Sequence, residues 1–494
     1  MRKDKRLERD LSAAADYPSW REIALELDEI EGHADWRARD ESRDYDYHLI
    51  RGRLNELRQL REEQRVRELV FQLHEGLHGN LGNIANPTLY TYCRVGTKLL
   101  IEEYLHEVSI CLNYLCDNEF ADFPADEKVL FFKRTGSSFG RSALMLSGGA
   151  TLGMFHLGVI KALHGEGILP RVLSGSSAGS IIAGAIGVRR DDELAEVFEP
   201  GNLYLEAWRI LGPGGALAQR ALMDPAQLEH CLRENMGDLS FEEAFERSRR
   251  IVGITVSPIE PHQQGRLLNY LTAPNVLVRR ASLASCAIPG VFPPVMLQAK
   301  DYSGEIVGYL PSKKWQDGTL RSDLPMLRLA RMHNVNHYIV SQTNPHVVPF
   351  MREDRARHST GMVAFSRELL RSSYGVYSKH ILETARNRMN PEGLWRIAEK
   401  ALTLTNQRYS GDINIFPSQP PKKLVKLLAN PSTEDLKHFI RSGERRTWPQ
   451  IERIRNSTVI SRTFEDCLQR MKDRGETRPP RAADRRVVPL RARG

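Results

Sequence analysis

Gly175-Ser176-Ser177-Ala178-Gly179 spells G-x-S-x-G, a pattern that can turn a serine hydroxyl into a nucleophile. By composition alone a chain of this length holds one such pentapeptide roughly one time in six, so it is weak evidence by itself. Its setting gives it weight. A strand candidate, Arg171-Val172-Leu173, precedes it, and a small-residue helix from Ala178 to Val188 follows. A sharp strand-to-helix turn projects Ser177 Oγ at a helix N-terminus, where backbone N–H groups favour developing negative charge. Gly175 and Gly179 would relieve the crowding of that turn. The plainer alternative is a tight turn in which Ser177 caps the helix.

A second cluster, Ser147-Gly148-Gly149-Ala150-Thr151-Leu152-Gly153, follows the apolar run Ser142 to Leu146. A glycine-rich turn beside a nucleophile exposes backbone N–H groups where an oxyanion must be held. Gly148, Gly149 and Ala150 are the candidate donors, with the N–H of Ala178 completing the hole and Gly153 closing the motif. Phosphate binding is the competing use of such a loop. However, no G-K-[ST] follows, and G-G-x-x-x-G is not the dinucleotide pattern. Asp317-Gly318 is a third candidate, although a lone Asp-Gly is usually only a turn.

These residues need elements to carry them. The run Ser142–Leu146, a helix through Leu163, the strand at 171–173 and the helix at 178–188 form a βαβ unit, which implies a parallel sheet. Further strand candidates are 250–256, 308–310 and 336–342. Residues 15 to about 120 read as helical. Between Tyr47 and His78, Leu54, Leu57, Leu69, Val70, Leu73 and Leu77 share one face, and Asn86-Pro87 breaks the pattern before Thr91–Leu115 resumes it. Helices are also expected at 368–374, 379–389, 392–404 and 463–472. The domains expected are a helical accessory domain over 1–137, a catalytic core over 138–346, a helical extension over 347–473 and a basic disordered tail over 474–494.

The 494 residues are 41% apolar and 27% charged, an ordinary globular composition. No run reaches the ~18 apolar residues of a membrane span. The nearest approach, Ala143 to Leu163, contains glycines, His156 and Lys161. The opening MRKDKRLERDL lacks the apolar stretch of a secretory signal. Six scattered cysteines, Cys93, Cys111, Cys116, Cys231, Cys286 and Cys467, form no CxxC or Cys/His cluster, so neither zinc nor a disulfide framework is expected. The net charge of +8 resides partly in RGETRPPRAADRRVVPLRARG, where arginine is not interleaved with aromatic residues. That argues against nucleic acid as a partner. A cytoplasmic protein is expected, with peripheral membrane or lipid-droplet association if its substrate is lipid.

Taken together, the glycine-rich loop, the G-x-S-x-G and the late Asp-Gly resemble the patatin-like phospholipases. The segments LSGGATLGMFHLGVIKAL, VLSGSSAGSIIAG, FEEAFERSRRIVGITVSP, CAIPGVFPPV and VNHYIVSQTNPHVVPF resemble its triacylglycerol lipase branch. That branch carries a helical domain before the core, which YDYHLIRGRLNEL, NLGNIANPTLY and GTKLLIEEYLHEV resemble in turn. The similarity extends over roughly residues 15–410.

The resemblance implies an α/β fold with a three-layer α/β/α core and a mainly parallel sheet, flanked by N- and C-terminal helical regions. It implies a Ser–Asp dyad without a catalytic histidine: Ser177 as nucleophile, Asp317 as general base, Gly318 as its motif partner, and no cofactor. Many patatins have D-G-G-G-x-R-G in the glycine-rich loop. Here Ser147 replaces the Asp, Ala150 a Gly and Leu152 the Arg. Loss of that positive charge favours neutral acylglycerols over charged phospholipids as substrates.

A free Asp titrates near pH ~3.9, so such a dyad needs a desolvated carboxylate and a good oxyanion hole. The rival bases are His156, expected to be structural, and a Ser177–Asp317–His337 triad, with His333 and His346 nearby in sequence. The apolar segment 202–223, with its Gly-Pro-Gly-Gly, reads either as a lid or interfacial segment or as an ordinary core helix pair. A phospholipase or lysophospholipid acyltransferase on the same dyad and a non-catalytic lipid-binding scaffold are the alternative functions.

Overall fold

The computed structural model describes residues 3–219, 221–260, 263–318, 323–345, 347–348, 410–418 and 428–475. The helices expected at 368–374, 379–389 and 392–404 lie outside the described residues, as do His346 and all but the first two residues of the expected tail. The chain divides into two compact units. One comprises Met1–Trp36, Pro87–Thr97 and Arg141–Thr458; the other comprises Arg37–Asn86, Lys98–Gly140 and Val459–Gly494.

The first unit is built on a sheet. Its described strands are β1 (Arg141–Leu146), β2 (Val172–Gly175), β3 (Ile251–Pro258), β4 (Arg266–Leu268), β5 (Leu297–Lys300), β6 (Ile306–Tyr309), β7 (Trp315–Asp317), β8 (Val335–Ser341) and β9 (Ile413–Ile415). The order in the main sheet is β4-β3-β2-β1-β8-β9, with β7 also paired to β3. All neighbours from β3 to β9 along that path are parallel, while β4 and β7 run antiparallel to β3. The strand expected at 308–310 belongs elsewhere: among the described residues, β6 pairs only with β5, in a separate two-stranded sheet. The reason is exposure. Ile306 and Val307 are 42% and 43% exposed, unlike residues of a strand buried on both faces.

Successive side chains of β1, buried from Ser142 onward, pack on opposite faces of the sheet and define the layers. Leu144 and Leu146 join an apolar cluster with Leu157 and Ile160 of the helix Phe155–Gly165 and Ile440 of the helix Thr433–Thr447. Ala143 and Met145 join another cluster with Met326 and Leu329 of the helix Met326–His333. Helices therefore cover both faces, giving a three-layer α/β/α core.

In the second unit, Ile50, Leu54 and Leu57 of the helix Tyr47–Glu62 are buried, as are Leu69 and Leu73 of the helix Val66–Gly76. The continuous apolar face expected over 47–78 is split by a turn in which Gln64 has φ 55°. Buried Glu107 is paired with Arg61 at 2.7 Å, and buried Lys98 donates to the carbonyls of Arg39 and Glu41. Buried charges persist only when satisfied in this way.

Two glycines set the fit of helix Phe155–Gly165 against helix Thr433–Thr447. A Cβ on Gly158 would overlap the Ile440 carbonyl, and one on Gly443 would overlap the Phe155 carbonyl. Glycine inside a helix costs up to about 1 kcal/mol, a cost offset here by the closeness of the two backbones. Gly158→Val and Gly443→Leu are each expected to lower stability by about 1–3 kcal/mol or more through overpacking. Thermal unfolding would register this as a lowered midpoint.

Candidate active site

The chain turns sharply where β2 ends. Ser177 sits between Gly175 and the helix Ala178–Gly187 with φ 50° and ψ −124°. A non-glycine residue held there costs on the order of 1–3 kcal/mol. The flanking glycines make the turn possible, because a Cβ on Gly175 would overlap the Gly179 carbonyl and one on Gly179 would overlap the carbonyls of Leu146 and Ser147. Hydrogen bonds then hold it. Ser177 N–H donates to Ser285 Oγ at 2.9 Å, and Ser176 Oγ donates to the Asp323 carbonyl at 2.6 Å while also bonding the Thr255 hydroxyl. The Ser177 side chain makes no capping bond, so its hydroxyl is not spent on the helix.

The glycine-rich loop leaves β1 alongside this turn, and a Cβ on Gly153 would overlap the Cβ of Ala178. Thr343 N–H donates to Ser147 Oγ at 2.8 Å, and Thr343 Oγ1 donates to the Gly148 carbonyl at 3.0 Å. His156 braces the loop from beneath. Its Nε2 lies 3.0 Å from the Ser147 carbonyl and its Nδ1 lies 2.7 Å from Ser341 Oγ. A carbonyl only accepts, so Nε2 carries the proton and Nδ1 accepts from the serine. Burial pushes the His156 imidazole down to about 4, so the ring is neutral near pH 7.

The four candidate donors differ. Gly148 N–H is taken by Asp323 Oδ1 at 3.1 Å. Among the described residues, the N–H groups of Gly149, Ala150 and Ala178 have no acceptor.

Asp317 ends β7, a strand of three residues. Val256 of β3 pairs with Asp317 on one edge and Arg266 on the other, while Ile254 pairs with Gly175 and Leu268. Asp317 therefore continues the β2 edge, just beyond the point where β2 turns into Ser177. It is 1% exposed, and its N–H donates to the Ala287 carbonyl at 3.1 Å. One short segment, Ser285-Cys286-Ala287, thus holds the backbones of both Ser177 and Asp317. The Cys286 thiol of that segment is buried. Burial and then the Asp317 charge push it up, while hydrogen bonding to Ser180 and Ser177 pulls the other way. Gly318 follows because a Cβ there would overlap the Thr255 carbonyl.

Comparison with known proteins bears on this arrangement. The family model described as Patatin-like phospholipase matches residues 144–330, and one described as Domain of unknown function (DUF3336) matches residues 1–137. Triacylglycerol lipase ptl3 of Schizosaccharomyces pombe is 34% identical over 94% of this chain and 97% of its own length. The chain belongs to the patatin-like phospholipase family. Triacylglycerol lipase SDP1L of Arabidopsis thaliana is 34% identical over 93% of this chain, and triacylglycerol lipase 4 of Saccharomyces cerevisiae is 35% identical over 93% of it. The chain spans only 58% and 52% of those two relatives. A crystal structure of VipD from Legionella pneumophila aligns over 67% of each chain at 12% identity, with a TM-score of 0.29.

In this patatin-like core the rival histidines stand away from Ser177. His337 pairs with Ser142, four residues below Leu146, and bonds Ser142 at 3.0 Å. At ~3.3 Å per residue it lies more than ~10 Å from the turn, which removes the Ser177–Asp317–His337 triad. His333 ends the helix before β8, bonded to Asn269 and stacked on Tyr270. Away from the turn, Asp28, Glu31 and His33 converge, but Arg94 already pairs with both carboxylates, at 3.3 Å and 2.6 Å.

The residue that sequence reasoning missed is Asp323. It is 2% exposed, accepts from Gly148 N–H and from the Asn344 amide, and receives Ser176 on its carbonyl. Burial, and to a lesser degree the charge of Asp317, raises its carboxyl to about 7. Asp323→Ala would leave Gly148 N–H and the Asn344 amide unpaired, at a cost of about 2–4 kcal/mol. It is expected to lower kcat more than it alters KM. The exchanged pair Asp323→Asn with Asn344→Asp restores one donor and one acceptor, so recovery of both stability and kcat in that double variant checks the assignment.

Proposed function

We propose that this chain hydrolyses carboxylic esters of acylglycerols through Ser177 and Asp317. The observation that carries the reading is the strained Ser177 turn, tied through Ser285–Ala287 to buried Asp317. Family membership and relatives named as triacylglycerol lipases support it. So does the replacement of a loop arginine by buried Leu152, which leaves no positive charge at that position for a phosphate headgroup.

In the proposed cycle Ser177 Oγ attacks the ester carbonyl as its proton passes to Asp317. The oxyanion is held by the N–H groups of Gly149, Ala150 and Ala178, with Gly148 committed to positioning the loop. Collapse of the tetrahedral intermediate breaks the bond to the glyceride oxygen, which takes the proton from Asp317, and leaves an acyl-Ser177. Water attacks that ester, giving its proton to Asp317. Release of the fatty acid returns the proton to Ser177. The near-complete burial of Asp317 is the desolvated setting that a carboxylate base requires.

Such a substrate is presented at a lipid surface, and the segment after Asn202 suits one. Its Gly-Pro-Gly-Gly opens a short helix, Pro213–Gln219, none of whose residues is buried. Ile210, Leu217 and Leu222 are 77%, 82% and 57% exposed. The segment is pinned near the site, since Leu222 and Met223 donate to the carbonyls of Gly290 and Val291, a few residues beyond Ala287. Among the described residues no helix is long and apolar enough to cross a membrane, so a peripheral contact is the proposed mode.

Ser177→Ala is expected to abolish release of fatty acid from emulsified triacylglycerol, and Asp317→Asn to lower it by about 10³-fold or more. Unchanged activity in Ser177→Ala would overturn the whole mechanism, and unchanged activity in Asp317→Asn would overturn the dyad. Ile210→Ser with Leu217→Ser is expected to reduce hydrolysis of emulsified substrate at least tenfold while leaving a soluble short-chain ester unaffected. Equal loss on both substrates would count against surface contact by this segment.

A further inference from the structure

The far edge of the sheet carries a concentration of positive charge that the hydrolytic site does not use. β4 and the helix Met326–His333 border an open cleft of about 600 Å³, lined among others by Gln263, Gln264, Arg266, Arg328 and Arg331. Three arginines from two separate elements thus line one concavity, Arg328 half-buried and Arg266 and Arg331 exposed. Among the described residues, none of the three has an acidic partner within ion-pair distance.

Several buried or half-buried arginines of this unit are paired with carboxylates, while Arg189 and Arg445 are satisfied by backbone carbonyls. Arg279 is paired with both Glu229 and Asp238, Arg250 with Asp191, and Arg455 with Glu166. Arg266 instead lies over the ring of Trp315, 5.4 Å from its centre. Arg328 is partly withdrawn from water, and burial followed by the charge of Arg266 makes its proton easier to lose. Lys313 donates to Oε1 of the lining residue Gln263 at 2.9 Å, which turns the Gln263 amide so that its N–H groups are further donors.

Like charges gathered in a concavity raise its free energy unless an anion offsets them. A planar guanidinium presents paired N–H donors that match the oxygens of a phosphate, and three of them around one centre match a dianion with three free oxygens. A singly charged carboxylate would leave most of that charge and most of those donors unmet.

We propose that Arg266, Arg328 and Arg331 form a binding site for a phosphate group, borne by either a soluble phosphate ester or a lipid headgroup, and distinct from the Ser177 site. The site is close to the chemistry without belonging to it. Val256 separates the strand of Arg266 from the strand of Asp317.

The test uses the full chain and the variant Arg328→Gln with Arg331→Gln, both of whose changes are at solvent-reachable positions. Inorganic phosphate is titrated calorimetrically, and co-sedimentation is measured with phosphatidylcholine vesicles with and without phosphatidic acid. The expected result is binding of at least one phosphate probe that weakens tenfold or more in the double variant. The unfolding midpoint and the hydrolysis of a soluble ester should stay unchanged. Arg328→Lys with Arg331→Lys keeps the charge without the fork and is expected to retain part of the binding.

Binding of inorganic phosphate with no preference for phosphatidic acid identifies a soluble ester as the source. Binding only to phosphatidic acid vesicles identifies a headgroup. Absence of binding to either probe, or equal binding by wild type and the double glutamine variant, overturns the proposal. Because the soluble-ester assay is read separately, failure of this site is distinguishable from failure of the hydrolase reading.

Discussion

Everything proposed for this protein depends on how closely three stretches of backbone approach one another at the carboxyl end of the sheet. Gly179 lies against the carbonyls of Leu146 and Ser147, Gly175 against the carbonyl of Gly179, and Gly153 against Ala178. A side chain at any of the three would force the loop and the turn apart. With hydrogen at all three, the glycine-rich loop packs directly against the turn that carries Ser177 and Ala178. The strain at Ser177 is the consequence, and the bonds from Ser177 N–H and the Ser176 hydroxyl offset it. Each is worth about 1 kcal/mol net, comparable to the strain itself.

Beneath the loop lies a buried polar network that would be costly if it were incomplete. Ser147, His156, Ser341 and Thr343 are each 0% exposed, and Asp323 and Asn344 are also buried. Their partners are one another and the loop backbone, so the desolvation cost of each is met locally. Because their own bonding is complete, they do not compete for the donors that face the proposed oxyanion. Fixed donors in a dry site need no rearrangement when charge develops, which is how such holes lower barriers. His156 shows the division of labour. It looks like a base in the sequence, yet both of its nitrogens are committed to holding Ser147 and Ser341.

How much of this could be read from the sequence follows from the range of the forces involved. The Ser177 turn is local, and its five residues with the strand before and the helix after were legible without any tertiary information. The longer strands were legible because residues buried on both faces form apolar runs, as in β1 and β3. β4, β7 and β9 have three residues each, too few for any period to register. Asp317 stands on one of them, so the role proposed for it came from resemblance alone, and the pairing of β3 shows only where its backbone lies. Asp323 and Ser285 gave no signal. One follows Asp317 at an offset without periodic meaning, and the other sits in a helix of small residues that reads as packing. What joins them to Ser177 is contact across more than a hundred residues of chain, which spacing does not encode.

The two buried carboxylates near the turn also explain each other. Both Asp317 and Asp323 are almost fully buried, and the charge of the first is among the causes that raise the second. Two anions in so dry a region oppose each other, and the protein answers by giving Asp323 two donors, Gly148 N–H and the Asn344 amide. Those donors favour the charged form, while burial and Asp317 favour the neutral one, and the balance falls at about 7. Protonation would turn one acceptor oxygen into a donor facing an N–H group, loosening the hold on either Gly148 or Asn344. The glycine-rich loop is therefore anchored most firmly when Asp323 is ionised, above that value. The role proposed for Asp317 is moving protons, while Asp323 holds backbone, and surroundings rather than residue type would separate the two.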